Sequence, residues 1–306
     1  MELPVEFLDK IKTMLGDETG SYLAALKQPP VRGLRVNTSK WSVEEALEKL
    51  PFHLTSVPWA DNGFIYDDSL DKPSLHPYYH CGLYYLQEPS AMAPASFLPV
   101  SKGERVLDLC AAPGGKTTQL ALSVQEGGLL VSNDISASRA KALIKNIELF
   151  GLRNTVVTCE TPERLAERFP GYFDKILVDA PCSGEGMFRQ GERMWRAWQE
   201  HGPEYFAPIQ RSVISAAAQM LAPGGMLLYS TCTFDPREEE QVVEYLLDID
   251  PTLHMQPLPQ CGGTVSGRAD LSVTGRKDLE MALRFYPHLV GGEGHFGAMM
   301  TSGQPA

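Results

Sequence analysis

The chain has 306 residues, 43% of them hydrophobic, with 27 basic and 38 acidic side chains and a net charge of −11 at pH 7. This length is enough for one large domain or two smaller domains with proper cores. There is no apolar run long enough to cross a membrane and no signal peptide at the acidic N-terminus. The negative net charge argues against an autonomous nucleic-acid-binding protein, although an acidic protein can still bind nucleic acid through a local basic groove.

Residues 1–99 are predicted to form a small N-terminal α+β domain, to which RNA binding is assigned. The predicted elements, in chain order, are a helix near residues 8–15, a strand over 32–37, a helix from Ser42 to Leu50, short strands at 52–54 and 64–66, and a helix beginning at Pro89. The Ser42 helix is marked by a capping box, in which Ser42 and Glu45 satisfy each other's backbone N–H groups. The junction with the next domain is predicted near Pro99.

Residues 100–306 alternate strands with helices, which is typical of βαβ units and predicts a parallel sheet with both faces covered. The predicted strands are 105–109, 129–132, 155–158, 175–178 and 226–230, with a last strand at 294–300. The predicted helices are 117–124, 136–150, 162–169 and 208–221, the last after a long loop. A further helix is expected to open with Asp235 as N-cap, Pro236 in the first helical position and Glu238 completing a capping box.

Two cysteines each follow an apolar run that reads as a buried parallel strand. Cys182 lies in Ile176-Leu-Val-Asp-Ala-Pro-Cys-Ser-Gly-Glu-Gly-Met187, and Cys232 lies in Met226-Leu-Leu-Tyr-Ser-Thr-Cys-Thr233. Ligands bind at the carboxyl ends of strands in open α/β sheets, so both thiols are expected to face one crevice. A thiolate there, near a basic group or a helix N-terminus, would be a nucleophile.

The six cysteines lie at positions 81, 110, 159, 182, 232 and 261, without any Cys-x-x-Cys pair. This spacing argues against a zinc site or a disulfide framework and predicts a reducing, cytoplasmic location with no metal. Cys81, Cys110, Cys159 and Cys261 are interpreted as small packing residues, because cysteine is among the most buried residue types.

A glycine turn after the 105–109 strand allows two interpretations. Cys110-Ala-Ala-Pro-Gly-Gly-Lys-Thr117 is one glycine short of a phosphate-binding P-loop, and Asp179 follows a strand as a magnesium-binding acid would. Pro113, however, removes an N–H from a loop that would have to offer N–H groups to phosphate. Asp134 ends the next strand, where an acid suits ribose hydroxyls. The spacing favours a nucleoside cofactor such as S-adenosylmethionine, with a P-loop NTPase as the alternative.

Six segments spread over nearly the whole chain carry a family resemblance. They are Arg32-Gly-Leu-Arg-Val-Asn-Thr38, Tyr84-Tyr-Leu-Gln-Glu-Pro-Ser90, Asp108-Leu-Cys-Ala-Ala-Pro-Gly-Gly-Lys116, Asp179-Ala-Pro-Cys-Ser-Gly-Glu-Gly-Met187, Tyr229-Ser-Thr-Cys-Thr233 and Gly292-Glu-Gly-His-Phe296. Together they resemble the Sun-family RNA cytosine methyltransferases, which make 5-methylcytosine, and most closely the bacterial enzymes that act on 16S ribosomal RNA. The resemblance implies a Rossmann-like S-adenosylmethionine-dependent sheet and an RNA substrate in a ribosomal subunit or its assembly intermediate.

The resemblance also implies roles for individual residues. Cys232 would add to carbon 6 of cytosine, and Cys182 would serve product release. The residues alone do not decide which of the two thiols is the nucleophile. Asp179 would contact the polar edge of the base and border the cofactor. The cofactor would be held by Cys110, Ala111, Ala112, Pro113, Gly114, Gly115, Lys116, Asp134 and Asp179. Arg139 would support Asp134 or lie in solvent.

Arg35, Asn37, Arg189 and Arg193 are candidates for contacts with the RNA backbone, each equally compatible with an ordinary surface position. The target base would have to leave any stack, which favours a loop or an unfolded pre-assembly strand.

Two departures from the family pattern affect these expectations. Thr161 aligns where relatives carry an acid after the third strand, with Glu160 beside it, which puts that cofactor contact in doubt. Longer relatives continue into a C-terminal RNA-binding domain beyond the Gly294-His-Phe296 segment, so weak RNA binding by this chain is expected. A non-catalytic, methyltransferase-like ribosome assembly factor is the third interpretation, and the intact thiols and glycine turn argue against it.

Overall fold

Two sheets organise the computed structural model of the protein, which describes residues 3–124 and 127–303. Elements of the first part, in chain order, are α1 (Val5–Leu15), α2 (Thr19–Leu26), β1 (Arg32–Val36), α3 (Val43–Lys49), β2 (Leu54–Val57), β3 (Ala60–Tyr66), α4 (Pro77–His80), β4 (Tyr84–Leu86) and α5 (Ala93–Phe97). The strands form an antiparallel sheet in the order β2-β3-β1-β4. The predicted capping box is present, with Ser42 accepting from the Glu45 N–H.

The second part contains the larger sheet. Its elements are β5 (Arg105–Asp108), α6 (Gly115–Ser123), β6 (Leu129–Asn133), α7 (Ala137–Phe150), β7 (Thr155–Thr158), α8 (Pro162–Arg168), β8 (Phe173–Asp179), α9 (Glu192–Glu200), α10 (Pro203–Met220), β9 (Leu221–Thr231), α11 (Glu240–Ile249), β10 (Leu253–Gln256), β11 (Val265–Ser266), β12 (Leu283–Phe285), α12 (Pro287–Val290) and β13 (His295–Ser302).

The larger sheet is mixed rather than wholly parallel. Its strand order is β11-β12-β13-β9-β8-β5-β6-β7, with β10 paired to β13. The strands from β9 to β7 pair in parallel, as the alternation of strands and helices predicts. Beyond β9 the pairing is antiparallel, beginning with Phe296 of β13 opposite Thr231. The fold is therefore α/β and Rossmann-like, with an antiparallel edge and a smaller N-terminal sheet.

Neighbouring residues of the central strands point to opposite faces of the sheet, because side chains alternate along a strand. Val106, Leu130, Leu177 and Leu228 enter one apolar cluster, whereas Leu107, Val131, Val178 and Leu227 enter the other. With a core on each face, these strands read as continuous apolar runs and end in polar loops at one edge. Cys182 and Cys232 follow β8 and β9 at that edge.

Three predictions about helices are wrong in detail. The segment before Pro208 is not a long loop, because α9 forms over Glu192–Glu200 and buries Trp198. Helix α10 begins at Pro203, which leaves Pro208 inside it. Helix α11 begins at Glu240 rather than at Pro236.

The expected cap of α11 fails because its residues have stronger partners elsewhere. The carboxylate of Asp235 binds Lys10 and Arg237. Glu238 is buried and turns toward the loop that holds Cys182 instead of reaching back to the helix start. A polar pattern can mark a helix N-terminus, but tertiary contacts decide which partner each side chain takes.

Candidate active site

The two thiols singled out from the sequence lie side by side. Cys182 follows β8 and Cys232 follows β9, and these strands are parallel neighbours with Asp179 in register with Ser230. Because parallel strands end at the same edge, the following loops lie close together. The Sγ atoms are 3.2 Å apart, and both residues are half-buried.

A buried carboxyl group fastens these two loops to each other. Glu238 accepts hydrogen bonds from the backbone N–H of Ser183 at 2.9 Å, from the Ser183 hydroxyl, and from the Gln210 amide at 2.8 Å. The hydroxyl groups of Ser183 and Thr233 are 2.8 Å apart. Since Ser183 and Thr233 each directly follow one of the cysteines, this network fixes the spacing of the sulfur atoms.

Ionisation is disfavoured on this side of the site. The hydrogen bond to Cys232, followed by burial and the charge of Glu238, raises the pKa of the Cys182 thiol well above its ordinary value. Burial raises the pKa of Glu238 to about 7 despite its hydrogen bonds. None of the leading causes of the Cys182 shift is a cation, so the resting site favours the thiol over the thiolate.

Charged groups surround Asp179, the last residue of β8. Its carboxylate accepts from Lys116 Nζ at 2.7 Å and from Ser230 Oγ at 2.9 Å, and His295 Nε2 lies 3.6 Å from Oδ1. Burial alone would raise the pKa of Asp179, but Lys116 and His295 outweigh it and hold that pKa well below the ordinary value. Asp179 is therefore a carboxylate throughout the physiological pH range.

The glycine turn joins β5 to α6 as the sequence predicts. Gly114 has φ +113°, a left-handed conformation that favours glycine, and α6 starts directly after it. The turn is tied to the next strand, because the N–H of Ala112 donates to Asp134 Oδ2 at 3.3 Å. Arg139 donates to the Ala112 carbonyl at 2.6 Å and lies 3.4 Å from Asp134, which makes it a support of this acid.

A cavity of about 240 Å³ lies between the glycine turn and the first sheet. Its lining residues are Tyr85, Leu86, Gln87, Ala91, Asp108, Cys110, Ala111, Ala112, Pro113, Gly115, Lys116 and Asp179. Most of the predicted cofactor residues are therefore brought together. Gly114 and Asp134 are not part of the lining, and Asp134 accepts a hydrogen bond from the Ala112 N–H.

The cavity suits a cationic nucleoside cofactor. Asp108 Oδ1 is buried without a hydrogen-bond partner among the described residues, an arrangement that costs free energy unless a ligand supplies a donor. Any side chain larger than hydrogen at Gly115 would approach the Gln87 amide nitrogen, since a Cβ there would lie 3.1 Å from it. S-Adenosylmethionine carries positive charge, which the carboxylates of Asp108 and Asp179 can balance.

The same geometry argues against the P-loop alternative. Thr117, in the place of a magnesium-binding hydroxyl, donates to Asp108 Oδ2 at 2.7 Å and is completely buried. The N–H groups of Ala111 and Ala112 are bonded to Asn133 and Asp134, and Pro113 has none. The turn therefore has few N–H groups left for a triphosphate. No set of three or more His, Cys, Asp or Glu side chains among the described residues is arranged to hold a metal ion.

The structure corrects the assignment of Arg35 and Asn37 to the RNA backbone. Both side chains are completely buried. Arg35 donates to Gln87, to the Gly115 carbonyl and to Thr118, so it joins β1 to the start of α6. Asn37 donates to the carbonyls of Gly82 and Phe150. The alternating pattern of the strand gave no sign that these polar residues face inward.

The other two arginines differ from each other. Arg189 is half-buried and donates to the carbonyls of Ala25 and Gly291, at 3.0 and 2.8 Å. It therefore fastens two segments together rather than projecting toward a ligand. Arg193 lies exposed on α9.

Relatives carry an acid in the segment after β7, where this chain has Thr161. Thr161 is the N-cap of α8 and accepts from the Arg164 N–H. Glu160 pairs with Arg164 at 3.0 Å. Neither side chain lines the cavity.

Sequence reasoning missed several residues of the site. Asp108, Tyr85 and Gln87 line the cavity, and His295 lies beside Asp179. All four stand in segments quoted for the family resemblance, so position within a shared motif was the available signal. Glu238 was misread as a helix cap.

The strand order, the glycine turn and the paired thiols at one sheet edge define a Rossmann-like methyltransferase fold. A methyltransferase homolog protein from Pyrococcus horikoshii superimposes with a TM-score of 0.86 and 29% identity, over 97% of this chain and 94% of that one. NSun6 from Pyrococcus horikoshii with SFG superimposes with a TM-score of 0.79 over 99% of both chains, and at 22% identity it supports the fold alone.

The chain belongs to the family described as 16S rRNA methyltransferase RsmB/F, which matches residues 95–301. Residues 3–89 match the N-terminal domain of 16S rRNA methyltransferase RsmF. The ribosomal RNA small subunit methyltransferase F of Vibrio vulnificus is 41% identical over 80% of this chain and 54% of its own length. That of Erwinia tasmaniensis is 37% identical over 97% of this chain and 63% of its own length. The chain thus spans less than two thirds of these relatives.

Proposed function

We propose that the protein is an S-adenosylmethionine-dependent RNA cytosine-5 methyltransferase that acts on 16S ribosomal RNA. The observation that carries the proposal is the pair of sulfur atoms 3.2 Å apart at the carboxyl ends of β8 and β9. Ser183 and Thr233, which directly follow the two cysteines, have hydroxyl groups within hydrogen-bond distance of each other. This hydrogen bond holds the two cysteines in place. The names of the RsmF relatives supply the RNA and the reaction class.

Two thiols suit this reaction because carbon 5 of cytosine is a poor nucleophile. When a thiolate adds to carbon 6, the electron pair of the 5,6 double bond moves into the ring, nitrogen 3 takes a proton, and carbon 5 becomes the nucleophilic end of an enamine. S-Adenosylmethionine supplies the electrophilic methyl group. A base then removes the carbon 5 proton, the 5,6 double bond re-forms, and the first sulfur leaves.

Following the family resemblance, we assign the addition to Cys232. We assign product release, when the carbon 5 proton leaves and the sulfur–carbon bond breaks, to Cys182. Asp179 accepts hydrogen bonds from the polar edge of the base, a role that suits a carboxylate held ionised by Lys116. The turn of Cys110–Lys116 forms one wall of the cofactor cavity, and Asp108 and Asp179 supply negative charge. Asp134, which accepts a hydrogen bond from the Ala112 N–H of the turn, belongs to the proposed cofactor site.

Three broader assignments complete the proposal. The domains divide at 99/100, the RNA partner is a small ribosomal subunit or its assembly intermediate, and the protein works in the cytoplasm. Among the described residues, no helix combines the length and the apolar character needed to cross a membrane. Arg193 remains a candidate for an RNA contact because it is exposed.

The test is methyl transfer from labelled S-adenosylmethionine to unmodified 16S ribosomal RNA and to small subunits. We expect label in 5-methylcytosine, its loss in Cys232→Ala, and a covalent protein–RNA adduct that accumulates in Cys182→Ala. Cys81→Ala is the matched control, since Cys81 is an exposed cysteine and not the packing residue that the sequence predicts.

Other outcomes point to other functions. Cofactor binding without transfer to any RNA would favour the assembly-factor interpretation. Nucleotide hydrolysis that needs Lys116 and Asp179 but neither Cys182 nor Cys232 would restore the NTPase interpretation.

A further inference from the structure

Addition of a thiolate to carbon 6 places negative charge on the cytosine ring unless nitrogen 3 is protonated at the same time. The polar group assigned to the edge of the base is Asp179. Lys116 and His295 hold the pKa of this carboxyl well below its ordinary value, so Asp179 has no proton of its own to give. The proton must reach the base from a neighbouring group.

His295 is placed for this task. Its side chain is 4% exposed, and Nε2 lies 3.6 Å from Asp179 Oδ1 without a hydrogen-bond partner among the described residues. The other ring nitrogen, Nδ1, is 3.0 Å from the carbonyl of Gly294. Because a carbonyl can only accept, Nδ1 carries a hydrogen, and Nε2 is the nitrogen left to take up or release a proton.

The other partners of Asp179 are less suited to supply a proton. Lys116 Nζ is bonded to Oδ2 at 2.7 Å and serves as the counter-charge of the carboxylate. Ser230 donates to Oδ1 at 2.9 Å, but a hydroxyl group is too weak an acid to protonate a base. An imidazole is the side chain best suited to exchange a proton at neutral pH.

The backbone holds His295 firmly in this position. His295 starts β13, and the following residue, Phe296, is in register with Thr231, the last residue of β9. Gly294 has φ +117°, and a Cβ there would lie 2.4 Å from the Phe234 ring. The imidazole is thereby fixed beside the strand end that carries Cys232.

We propose that His295 acts through Asp179 as a positioning residue that supplies the proton for the addition step. Both thiols first lose their protons to solvent, and the Cys232 sulfur then bonds to carbon 6 as the electron pair of the 5,6 double bond moves into the ring. Nitrogen 3 takes a proton through Asp179 Oδ1 as the protonated imidazole gives one up from Nε2, so the carboxylate is restored within the same step. After methyl transfer, the Cys182 thiolate takes the carbon 5 proton, the 5,6 double bond re-forms as the sulfur–carbon bond breaks, and the Cys232 thiolate leaves. Nitrogen 3 returns its proton to Nε2 by the same route, and Cys182 releases to solvent the one proton that the overall reaction yields. This role rests on the proposed methyl transfer.

The test compares His295→Gln with Ser230→Ala, since each removes one group beside the same oxygen of Asp179. A glutamine amide can donate a hydrogen bond but cannot supply a proton. We expect His295→Gln to lower the single-turnover rate by about 10²–10⁴-fold while the KM for RNA and the Kd for S-adenosylmethionine change little. Ser230→Ala is expected to lower the rate less than about tenfold.

A second measurement separates proton supply from structural support. In the Cys182→Ala background, adduct formation is followed with RNA that carries cytosine or 5-azacytosine at the target position. The ring nitrogen at position 5 makes carbon 6 more electrophilic, so addition depends less on protonation. We expect most of the His295→Gln defect to disappear with 5-azacytosine.

An unchanged rate in His295→Gln would overturn the proposal. A loss equal in both variants, undiminished by 5-azacytosine, would also overturn it and assign His295 a structural role. If His295→Gln fails to fold, His295→Asn is compared in the same way, because its amide can keep the bond to the Gly294 carbonyl. Absence of methyl transfer by the unmodified protein would refute the proposed function instead, before either variant is examined.

Discussion

The two halves of the site hold their ionisable groups in opposite ways. On the cofactor side, Asp179 is paired with Lys116 and stays ionised. On the thiol side, Cys182 faces another thiol, and Glu238 is bound by neutral donors with its pKa raised to about 7. Asp179 is held ionised by a paired charge, whereas Cys182 and Glu238 have no cation beside them and their pKa values are raised.

This difference suggests how reactivity is timed. The Cys182 thiol, whose pKa is raised, ionises readily only when positive charge approaches. Binding of a cationic cofactor brings that charge into the adjacent cavity. Under the proposed function, Cys182 would therefore ionise and serve product release mainly when the cofactor cavity is occupied.

The largest effect is expected from breaking the charge pair. Lys116→Met leaves Asp179 without its counter-charge in a site where the lysine side chain is only 10% exposed. We expect methyl transfer to fall by at least about 10³-fold and the free energy of unfolding to fall by about 3 kcal/mol. Single-turnover assays and urea unfolding measure the two effects.

Lys175→Met is the matched control for this change. Lys175 is also 10% exposed and faces Glu104, 3.5 Å away, at the opposite end of the strand from Asp179. It should lose stability with little effect on the rate of methyl transfer. Equal losses of rate in the two variants would show that Lys116 acts through stability alone.

A moderate effect is expected on the thiol side. Burial raises the pKa of Glu238 from 4.5 to about 7, so between these values the folded protein holds a proton that the unfolded chain has lost. Stability should therefore fall as the pH rises through this window. In Glu238→Gln, the pH dependence that Glu238 contributes to the free energy of unfolding should disappear. Glu238→Ala should lower the free energy of unfolding by about 1–3 kcal/mol, because it leaves Ser183 without its acceptor.

Urea unfolding between about pH 5 and about pH 8 measures this pH dependence. Glu163→Gln is the control, because a hydrogen bond from Ser212 lowers the pKa of Glu163 instead. If the Glu238→Gln profile keeps the slope of the unmodified protein, the burial of Glu238 does not govern its ionisation.

The smallest effect concerns the affinity for the cofactor. Burial raises the pKa of Asp108 to about 7, although the hydrogen bond from Thr117 opposes it. Since the carboxylate attracts a cation and the neutral acid does not, the affinity for S-adenosylmethionine should increase as the pH rises through about 7.

Asp108→Asn should bind about tenfold more weakly above this pH and lose much of the pH dependence. Calorimetric titration at several pH values gives both quantities. A variant that retained the full pH dependence would assign it to another group, such as the α-amino group of the ligand.

Local sequence patterns predicted much of the region around Cys182 and Cys232. The apolar runs before Cys182 and Cys232 identified β8 and β9, and the order of strands and helices identified the parallel sheet that brings the thiols together. The roles of particular carboxyl groups were less predictable. Whether Asp235 caps a helix or binds Lys10 is decided by a residue 225 positions away.

The same limit explains the error over Arg35. Its strand has an alternating pattern, and arginine side chains are mostly exposed to solvent, so the sequence predicts an exposed Arg35. In the structure its acceptors are Gln87, which follows β4, and Gly115 and Thr118 of α6. Long-range hydrogen bonds of this kind leave no periodic trace in the sequence.

The wall that Tyr85, Leu86, Gln87 and Ala91 contribute to the cavity has a practical consequence for dissecting the protein. A version of the protein that starts at residue 100 would retain both thiols and the glycine turn. It would lose one wall of the cavity and leave that side open to water. Arg35 would no longer anchor the start of α6. Residues from both parts of the chain therefore line one cavity, and genetic separation of the two parts would divide it.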